Sequence, residues 1–290
     1  MPELPDIDVY VETLQERIGD RTLESIRVSK PFLIRSVDPP LSEANGRKVI
    51  ALRRIGKRIV IGLNSDLWLV LHLMVAGRLH WHNDKVSIRG RHQLAAFDFD
   101  SGTLLLTEAG TKKRASLYLV KGEQALAEHN PGGLEVLETS FADFARQLTN
   151  ENRTLKRSLT NPRAFSGIGN AYSDEILHAA RLSPVKLTRQ LTEEEKHRLF
   201  GAVVATLTEW RTRLRDAAGD GFPEKVTAFR KEMAVHGKFG KACPSCGTKV
   251  ARIRYKSKET NYCPGCQTGG KLLADRSLSR LLKDDWPDSM

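Results

Sequence analysis

Residues 161–177 run Asn161-Pro162-Arg163-Ala164-Phe165-Ser166-Gly167-Ile168-Gly169-Asn170-Ala171-Tyr172-Ser173-Asp174-Glu175-Ile176-Leu177. They leave one helical pattern and open another. Gly167 and Gly169 permit a tight turn and a close backbone approach. A helix that begins at this point aims its first N–H groups at whatever lies before it, which suits an anion. Lys156 and Arg157 stand just upstream. The same residues also describe a plain glycine turn between two core helices, and taken alone the stretch does not separate these readings.

The pattern around it divides the chain. Residues 141–217 read as helices, with Phe141–Leu148, Ala171–Arg181 and Glu193–Leu214 among them. Residues 21–122 carry short runs rich in Val, Ile and Leu instead, at 47–55, 57–63, 67–74, 93–99 and 103–107. Asn64-Ser65-Asp66 and Asp100-Ser101-Gly102 punctuate them as turns. No βαβ alternation occurs, which excludes a Rossmann-type sheet and points to an antiparallel sandwich or barrel. Asn130-Pro131-Gly132-Gly133 ends this part. Before it, Ile7, Val11, Leu14 and Ile18 share one face of a helix over 5–18, with Pro5 in its first turn and Gly19 as its stop.

The chain opens Met1-Pro2-Glu3. Loss of Met1 leaves a secondary amine beside a carboxylic acid. An α-amino group titrates at about 7.7–8.0, far below a lysine, so it can act as a nucleophile near neutrality. Met-Pro is also an ordinary way to start a helix, and alone it decides nothing.

The 290 residues carry a net charge of +11 and 40% hydrophobic residues. This is enough for real cores and two domains. The basicity favours a polyanionic partner, nucleic acid before a membrane surface. No window approaches roughly 18 uninterrupted apolar residues, so no membrane span is expected. No secretory pattern precedes the first helix. A cytoplasmic, nucleoid-associated monomer is the expectation. The only cysteines, Cys243, Cys246, Cys263 and Cys266, have the spacing C-x2-C-x16-C-x2-C. In a chain without an export signal this predicts one structural Zn2+ and no disulfides. Between the pairs Arg252, Arg254, Lys256 and Lys258 alternate, which on a hairpin gives one cationic face for phosphate.

In this order the pieces resemble the formamidopyrimidine-DNA glycosylase/endonuclease VIII family of base-excision repair enzymes. Pro2-Glu3-Leu4-Pro5 is similar to its catalytic terminus, and Ile55-Gly56-Lys57-Arg58 to its Gly-Lys element on a strand. His72-Leu73-Met74-Val75-Ala76-Gly77-Arg78 is similar to its His-Leu-x-Met-Ser-Gly run. Gly167–Leu177 resembles its helix–two-turns–helix motif, and the cysteines its zinc finger. The resemblance covers essentially the whole chain. It implies an α+β fold. Residues 1–135 form a catalytic antiparallel β-sandwich with an N-terminal helix. Residues 136–235 form a helix–two-turns–helix DNA-binding domain, and 236–290 a zinc-finger hairpin. DNA is expected in the cleft between them.

The activity implied is that of a bifunctional DNA glycosylase and abasic-site lyase. Pro2 is the implied nucleophile, Glu3 the acid/base, and Lys57 the residue that holds the reacting sugar's phosphate. His72, Lys156, Gly169, Asn170, Arg254 and Lys258 are the implied DNA contacts. The chain departs from the family at Asp6, where Glu is usual, and at Lys258, where Arg is usual. It departs again at Val75, where the family has its intercalating Met. Met74, one place along a strand, is expected on the opposite face. The Glu108–Ala115 stretch has no aromatic wedge. These departures leave the substrate open among duplex, bubble and single-stranded damaged DNA. They also support a rival reading, a lesion- or structure-specific DNA-binding protein of the same fold with little excision.

Overall fold

A computed structural model describes residues 1–224, 226–255 and 258–273, which fall into two compact units. The first unit is Met1–Pro131 with Trp210–Thr227. It opens with helix α1 (Leu4–Ile18). Asp6 accepts the Glu3 N–H at 2.9 Å, and the Glu3 carboxylate reciprocates at the Asp6 amide in a capping box. Ile7, Tyr10, Leu14 and Ile18 are completely buried, whereas Val11 is only half-buried. The core stripe of α1 therefore runs through Tyr10, one position from the residue that periodicity selects.

Eight strands follow: β1 (Thr22–Val28), β2 (Arg47–Ile55), β3 (Arg58–Leu63), β4 (Leu67–His72), β5 (Gly77–His82), β6 (Gln93–Phe99), β7 (Gly102–Glu108) and β8 (Ser116–Lys121). A short helix α2 (Glu123–Ala127) closes the run. All pairings are antiparallel, in the order β5-β7-β6-β1-β2-β3-β4-β8. The β1–β2 link is the weak one, with only Thr22↔Lys48 and Leu23↔Arg47 in register. It separates two four-stranded halves. Leu79, Leu94, Phe97, Leu104 and Leu106 from one half share a core with Ile59, Ile61, Leu69, Leu71 and Leu117 from the other. The two halves thus make the expected sandwich.

β3 and β4 are covered on both sides. Ile59, Ile61 and Leu63 enter the main core, while Val60 joins Trp68, Val70 and Leu126 in a separate cluster. This is why their sequences are unbroken apolar runs. Two expected strand boundaries are corrected. Lys57 is not a strand residue: it shares a two-residue turn with Gly56, closed by the Ile55↔Arg58 pair. Met74 is not a strand residue either. β4 ends at His72, and Met74 lies in a turn with φ +52°. The opposite-face expectation for Met74 therefore lapses, because a turn has no alternating faces.

The second unit is Gly132–Glu209 with residues from Ala228 onward. Its helices are α3 (Phe141–Asn150), α4 (Leu155–Leu159), α5 (Asn170–Ala179) and the start of α6 (Glu193–Ala218). Ser140 caps α3 by accepting the Asp143 N–H at 3.1 Å. Phe144 anchors the helical core, with ring centroids 4.9 Å from Phe165 and 5.2 Å from Phe200. The hairpin β9 (Ala251–Tyr255) and β10 (Lys258–Tyr262) precedes the four-residue helix α7 (Pro264–Gln267). Residues 274–290 of the expected zinc-finger region lie outside the described residues. Among the described residues, no helix is long and apolar enough to cross a membrane.

Two glycines should respond oppositely to alanine. A Cβ on Gly77 would lie 2.3 Å from the Leu73 carbonyl oxygen, whereas one on Gly201, inside α6, meets nothing within 4 Å. Gly77→Ala should destabilise by about 1–3 kcal/mol through overpacking. Gly201→Ala should stabilise by about 0.5–1 kcal/mol through helix propensity. Thermal or urea unfolding of the two variants checks both signs.

Candidate active site and nucleic-acid interface

The first constellation gathers at the N-terminus. Glu3 and Asp6 are each only 2% exposed, and Pro2 is buried. The terminal amine, here that of Met1, is held below its ordinary value of 8.0. Burial is the main cause. Arg78 and Lys57 push the same way, while Glu3 and Asp6 oppose them. An amine, two carboxylates and two cations therefore share one neighbourhood. Asp6, shorter than the usual Glu, still reaches the Glu3 amide, so the departure at this position leaves the cap intact.

Gly56 has φ +61° and Lys57 is not among the positive-φ residues, the pattern of a type II′ hairpin turn. The turn presents Lys57 at the rim of β3, where β4 ends with His72 opposite Arg58. His72 is driven down to about 4, chiefly by burial and then by Arg58 and Lys57. Its Nδ1 accepts the Met74 N–H at 3.0 Å, so Nε2 carries the ring proton. His72 is thus a neutral donor near neutral pH.

Beyond His72 the 73–77 turn is closed by Gly77 N–H to Leu73 O at 2.9 Å, and it lifts Val75 to 61% exposure. Arg78 Nη1 donates to Gly77 O at 2.6 Å and to Val75 O at 3.2 Å. The 108–115 loop lies alongside, since a Cβ on Gly110 would sit 3.3 Å from that of Ala76. Buried Glu108 shapes this loop by accepting N–H bonds from Arg114 (2.9 Å) and Ala115 (3.2 Å). Lys112 and Arg114 are exposed.

The second constellation belongs to the helical unit. Gly167 has φ +77°, and Gly169 is the N-cap of α5, with no side-chain cap. Asn170 Nδ2 donates to Glu259 O on β10 at 2.8 Å. Lys156 is 9% exposed, and its ammonium bonds Asn170 O at 2.7 Å and pairs with the Asp174 carboxylate. Its charge is therefore committed inside the unit. Asp174, completely buried, also meets His236 Nδ1 at 2.7 Å and the Asn261 N–H at 3.2 Å. Glu175 accepts three consecutive backbone N–H groups, from Ala234, Val235 and His236, at 2.8–2.9 Å.

On the hairpin Arg254 is exposed and pairs across to Glu259 at 3.8 Å. Arg252 stacks on Phe239, 4.0 Å from its ring centroid. Lys258 pairs with Tyr255 in register, but its side chain, like the whole of Lys256, lies outside the described residues.

The four cysteine sulfurs lie within 4.8 Å of one another and form no disulfide. Cys246 and Cys263 are 3.3 Å apart, Cys243 and Cys266 3.9 Å. A tetrahedral zinc with bonds of about 2.3 Å requires sulfurs roughly 3.8 Å apart. The cluster fits the ion.

Family comparisons agree with this geometry. The model of the formamidopyrimidine-DNA glycosylase N-terminal domain matches residues 1–112, and that of its H2TH domain matches residues 133–212. A formamidopyrimidine-DNA glycosylase of Heliobacterium modesticaldum is 32% identical over 281 residues, covering 92% of this chain and 100% of the relative. The chain belongs to the formamidopyrimidine-DNA glycosylase family. A second member, from Carboxydothermus hydrogenoformans, is 31% identical over 92% of this chain and 100% of its own. A Lactococcus lactis Fpg mutant solved with Fapy-dG-containing DNA superposes with TM-score 0.81 at 25% identity, over 92% of this chain and 100% of that one. The wild-type Lactococcus enzyme with oxidised-pyrimidine DNA gives 0.79 at 25% identity over the same shares. The family is one of DNA glycosylases for damaged-base repair, and this chain is a member with both of its matched domains and a four-cysteine cluster.

Within that family frame, sequence reasoning overlooked Arg78, Asp174 and Glu175. In sequence Arg78 only ends the His72–Arg78 motif, and folding sets it beside the amine. Besides nearby Lys156, Asp174 meets His236 and Asn261, 62 and 87 residues on, and Glu175 gathers amides 59–61 residues away. No local pattern announces such pairings.

The depressed His72 fixes a pH effect. The unfolded ring gains a proton below its ordinary 6.5 and the folded one only near 4, so unfolding takes up a proton between these values. The contribution of His72 to stability is complete above 6.5 and is lost as pH falls towards 4. His72→Gln should flatten the fall in stability across that window. An NMR titration of the free protein should place the His72 midpoint near 4, and a midpoint at the ordinary 6.5 would contradict the buried, neutral assignment.

Proposed function

We propose that the chain is a bifunctional DNA glycosylase and abasic-site lyase that works through an N-terminal proline Schiff base. The observation that carries this reading is the partly buried terminal amine, held below its ordinary value beside buried Glu3, with Lys57 and Arg78 within electrostatic reach. Removal of Met1 would expose the secondary amine of Pro2, a buried residue one place along and directly before Glu3.

The steps follow from those groups. The Pro2 nitrogen attacks C1′ of a flipped nucleotide while the glycosidic bond breaks and the damaged base leaves with a proton. Glu3 delivers a proton to the sugar ring oxygen, which opens the ring and leaves an iminium. The iminium acidifies C2′, so loss of a C2′ proton expels the 3′-phosphate, which is β-elimination. Water then releases Pro2. Lys57 and the neutral Nε2–H of His72 hold the phosphate next to the reacting sugar, one as a charge and one as a dipole. Asn170 with the N-terminus of α5, and Arg254 and Lys258 on the hairpin, hold phosphates further along. Lys156 acts from inside, by fixing Asn170 and Asp174. One zinc, held by Cys243, Cys246, Cys263 and Cys266, supplies structural cross-linking of the hairpin and no chemistry. Damaged DNA is the partner, and the enzyme works in the cytoplasm at the nucleoid as a monomer. Residues 1–135, 136–235 and 236–290 serve as catalytic, helix–two-turns–helix and zinc-finger parts.

Borohydride should trap a covalent complex between the protein and abasic DNA, and an N-terminal extension that blocks the amine should abolish it. Trapping undiminished by the extension refutes the mechanism. Retained binding with no trapping and no base release by the native protein favours the rival, a DNA-binding protein that keeps the Asn170 and hairpin contacts.

Lesion reading is the second test. Val75 is a small wedge at the tip of its turn, and the neighbouring loop offers Lys112, Lys113 and Arg114 but no ring. Apolar wedges offset unstacking, which costs on the order of a few kcal/mol. Substrates already unstacked should gain. Activity on single-stranded or bubble DNA should at least rival that on duplex, with weak discrimination of the opposite base. A panel of lesion-bearing strands measures this, and strong preference for 8-oxoguanine paired with cytosine overturns it.

A further inference from the structure

We infer that His178 is an outer-shell hydrogen-bond donor to the Cys243 sulfur and couples the hold on zinc to the seating of helix α5. The inference rests on the zinc reading above and is independent of the glycosylase chemistry.

His178 occupies the last turn of α5 and is 8% exposed. Its Nε2 lies 3.2 Å from Cys243 Sγ, and Cys243 itself is 3% exposed. A metal-bound thiolate has no proton, so the ring N–H must be the donor in this pair. Packing alone asks only for a flat ring at this place. A nitrogen aimed at a metal-ligand sulfur does more, because it draws off part of the thiolate charge and fixes the direction of its lone pairs.

The second cysteine pair has its own tie to the same region. Gln267 Oε1 accepts the Cys263 N–H at 2.8 Å, and its Nε2 donates to Leu182 O just beyond α5 at 2.9 Å. Each cysteine pair is therefore linked to the C-terminal end of α5, one through His178 and one through Gln267. The other end of the helix carries Asn170, bonded to the β10 backbone. Helix α5 is thus anchored to the cysteine module at both ends, and metal at the cysteines sets where its N-terminus points. Loss of an outer-shell partner of this kind costs typically about 10–100-fold in metal affinity.

The test uses full-length holoprotein. Metal analysis comes first: one zinc per chain is expected, and none, with cysteines oxidised in pairs, sinks the zinc reading itself. Zinc release to a chelating dye is then compared among wild type, His178→Phe, His178→Ala and His178→Gln. The Phe and Ala variants should release zinc about 10-fold faster or more, and Gln, which keeps an N–H donor, should recover part of the difference. Cobalt(II) in place of zinc gives a readout that packing does not move. The sulfur-to-metal charge-transfer band should shift to longer wavelength in the Phe and Ala variants. Normal zinc content with wild-type release rates and an unmoved band in the variant that folds overturns the inference.

Discussion

The reciprocal cap between Glu3 and Asp6 is the constraint on which the N-terminal unit turns. It satisfies amides at the start of α1 with carboxylates that are almost completely buried. A helix N-terminus is partly positive, so it tolerates such carboxylates better than most interiors would. The cap also fixes the entry of the chain into the sandwich, because Ile7, Tyr10 and Leu14 lock the helix to the core immediately afterwards. A terminal amine is ordinarily the most mobile group of a protein. Here it is anchored within a turn of a completely buried helix face and partly withdrawn from water.

The helical unit is organised by the opposite device, a buried anion with long-range partners. Asp174 brings together Lys156, His236 and the Asn261 amide, and Glu175 gathers the amides of 234–236. Buried ion pairs seldom add net stability, since desolvation offsets most of their attraction. Their role here is register. They fix which part of the cysteine-bearing segment lies against which turn of α5. A shift by one residue would leave a buried carboxylate without partners.

Much of this was legible in the sequence. The helix near 5–18, the strand 47–55 and the helices near 141, 171 and 193 fell within a few residues of their observed limits, because each carries a strong period. β1, β5 and β8 are not among the apolar runs that the sequence shows, and β8 is a short Ser116–Lys121 segment after the basic 112–114 stretch. β1 mixes Glu24, Ser25 and Arg27 with its apolar residues, and β5 alternates Leu79 with Arg78, His80 and His82, so neither shows a clean apolar run. The sequence puts Lys57 and Met74 on strands because apolar neighbours extend past the true ends of β3 and β4. The residues with candidate chemistry, Glu3, Lys57 and the cysteines, were found by motif. Arg78, Glu175 and the committed state of Lys156 could not be, since each depends on what folding brings opposite.

The neutral state of His72 has a consequence for how this surface would meet a polyanion. Each cation that neutralises a phosphate displaces a condensed counterion, and this gain sets the dependence on salt, about −0.9 per phosphate in log K against log salt. A neutral imidazole N–H such as that of His72 would bond a phosphate oxygen without displacing a counterion. Lys156, committed to Asp174, contributes little to that displacement despite its formal charge. Of the two groups proposed for the phosphate at the reacting nucleotide, Lys57 would then weaken as salt rises, while the His72 contact would persist.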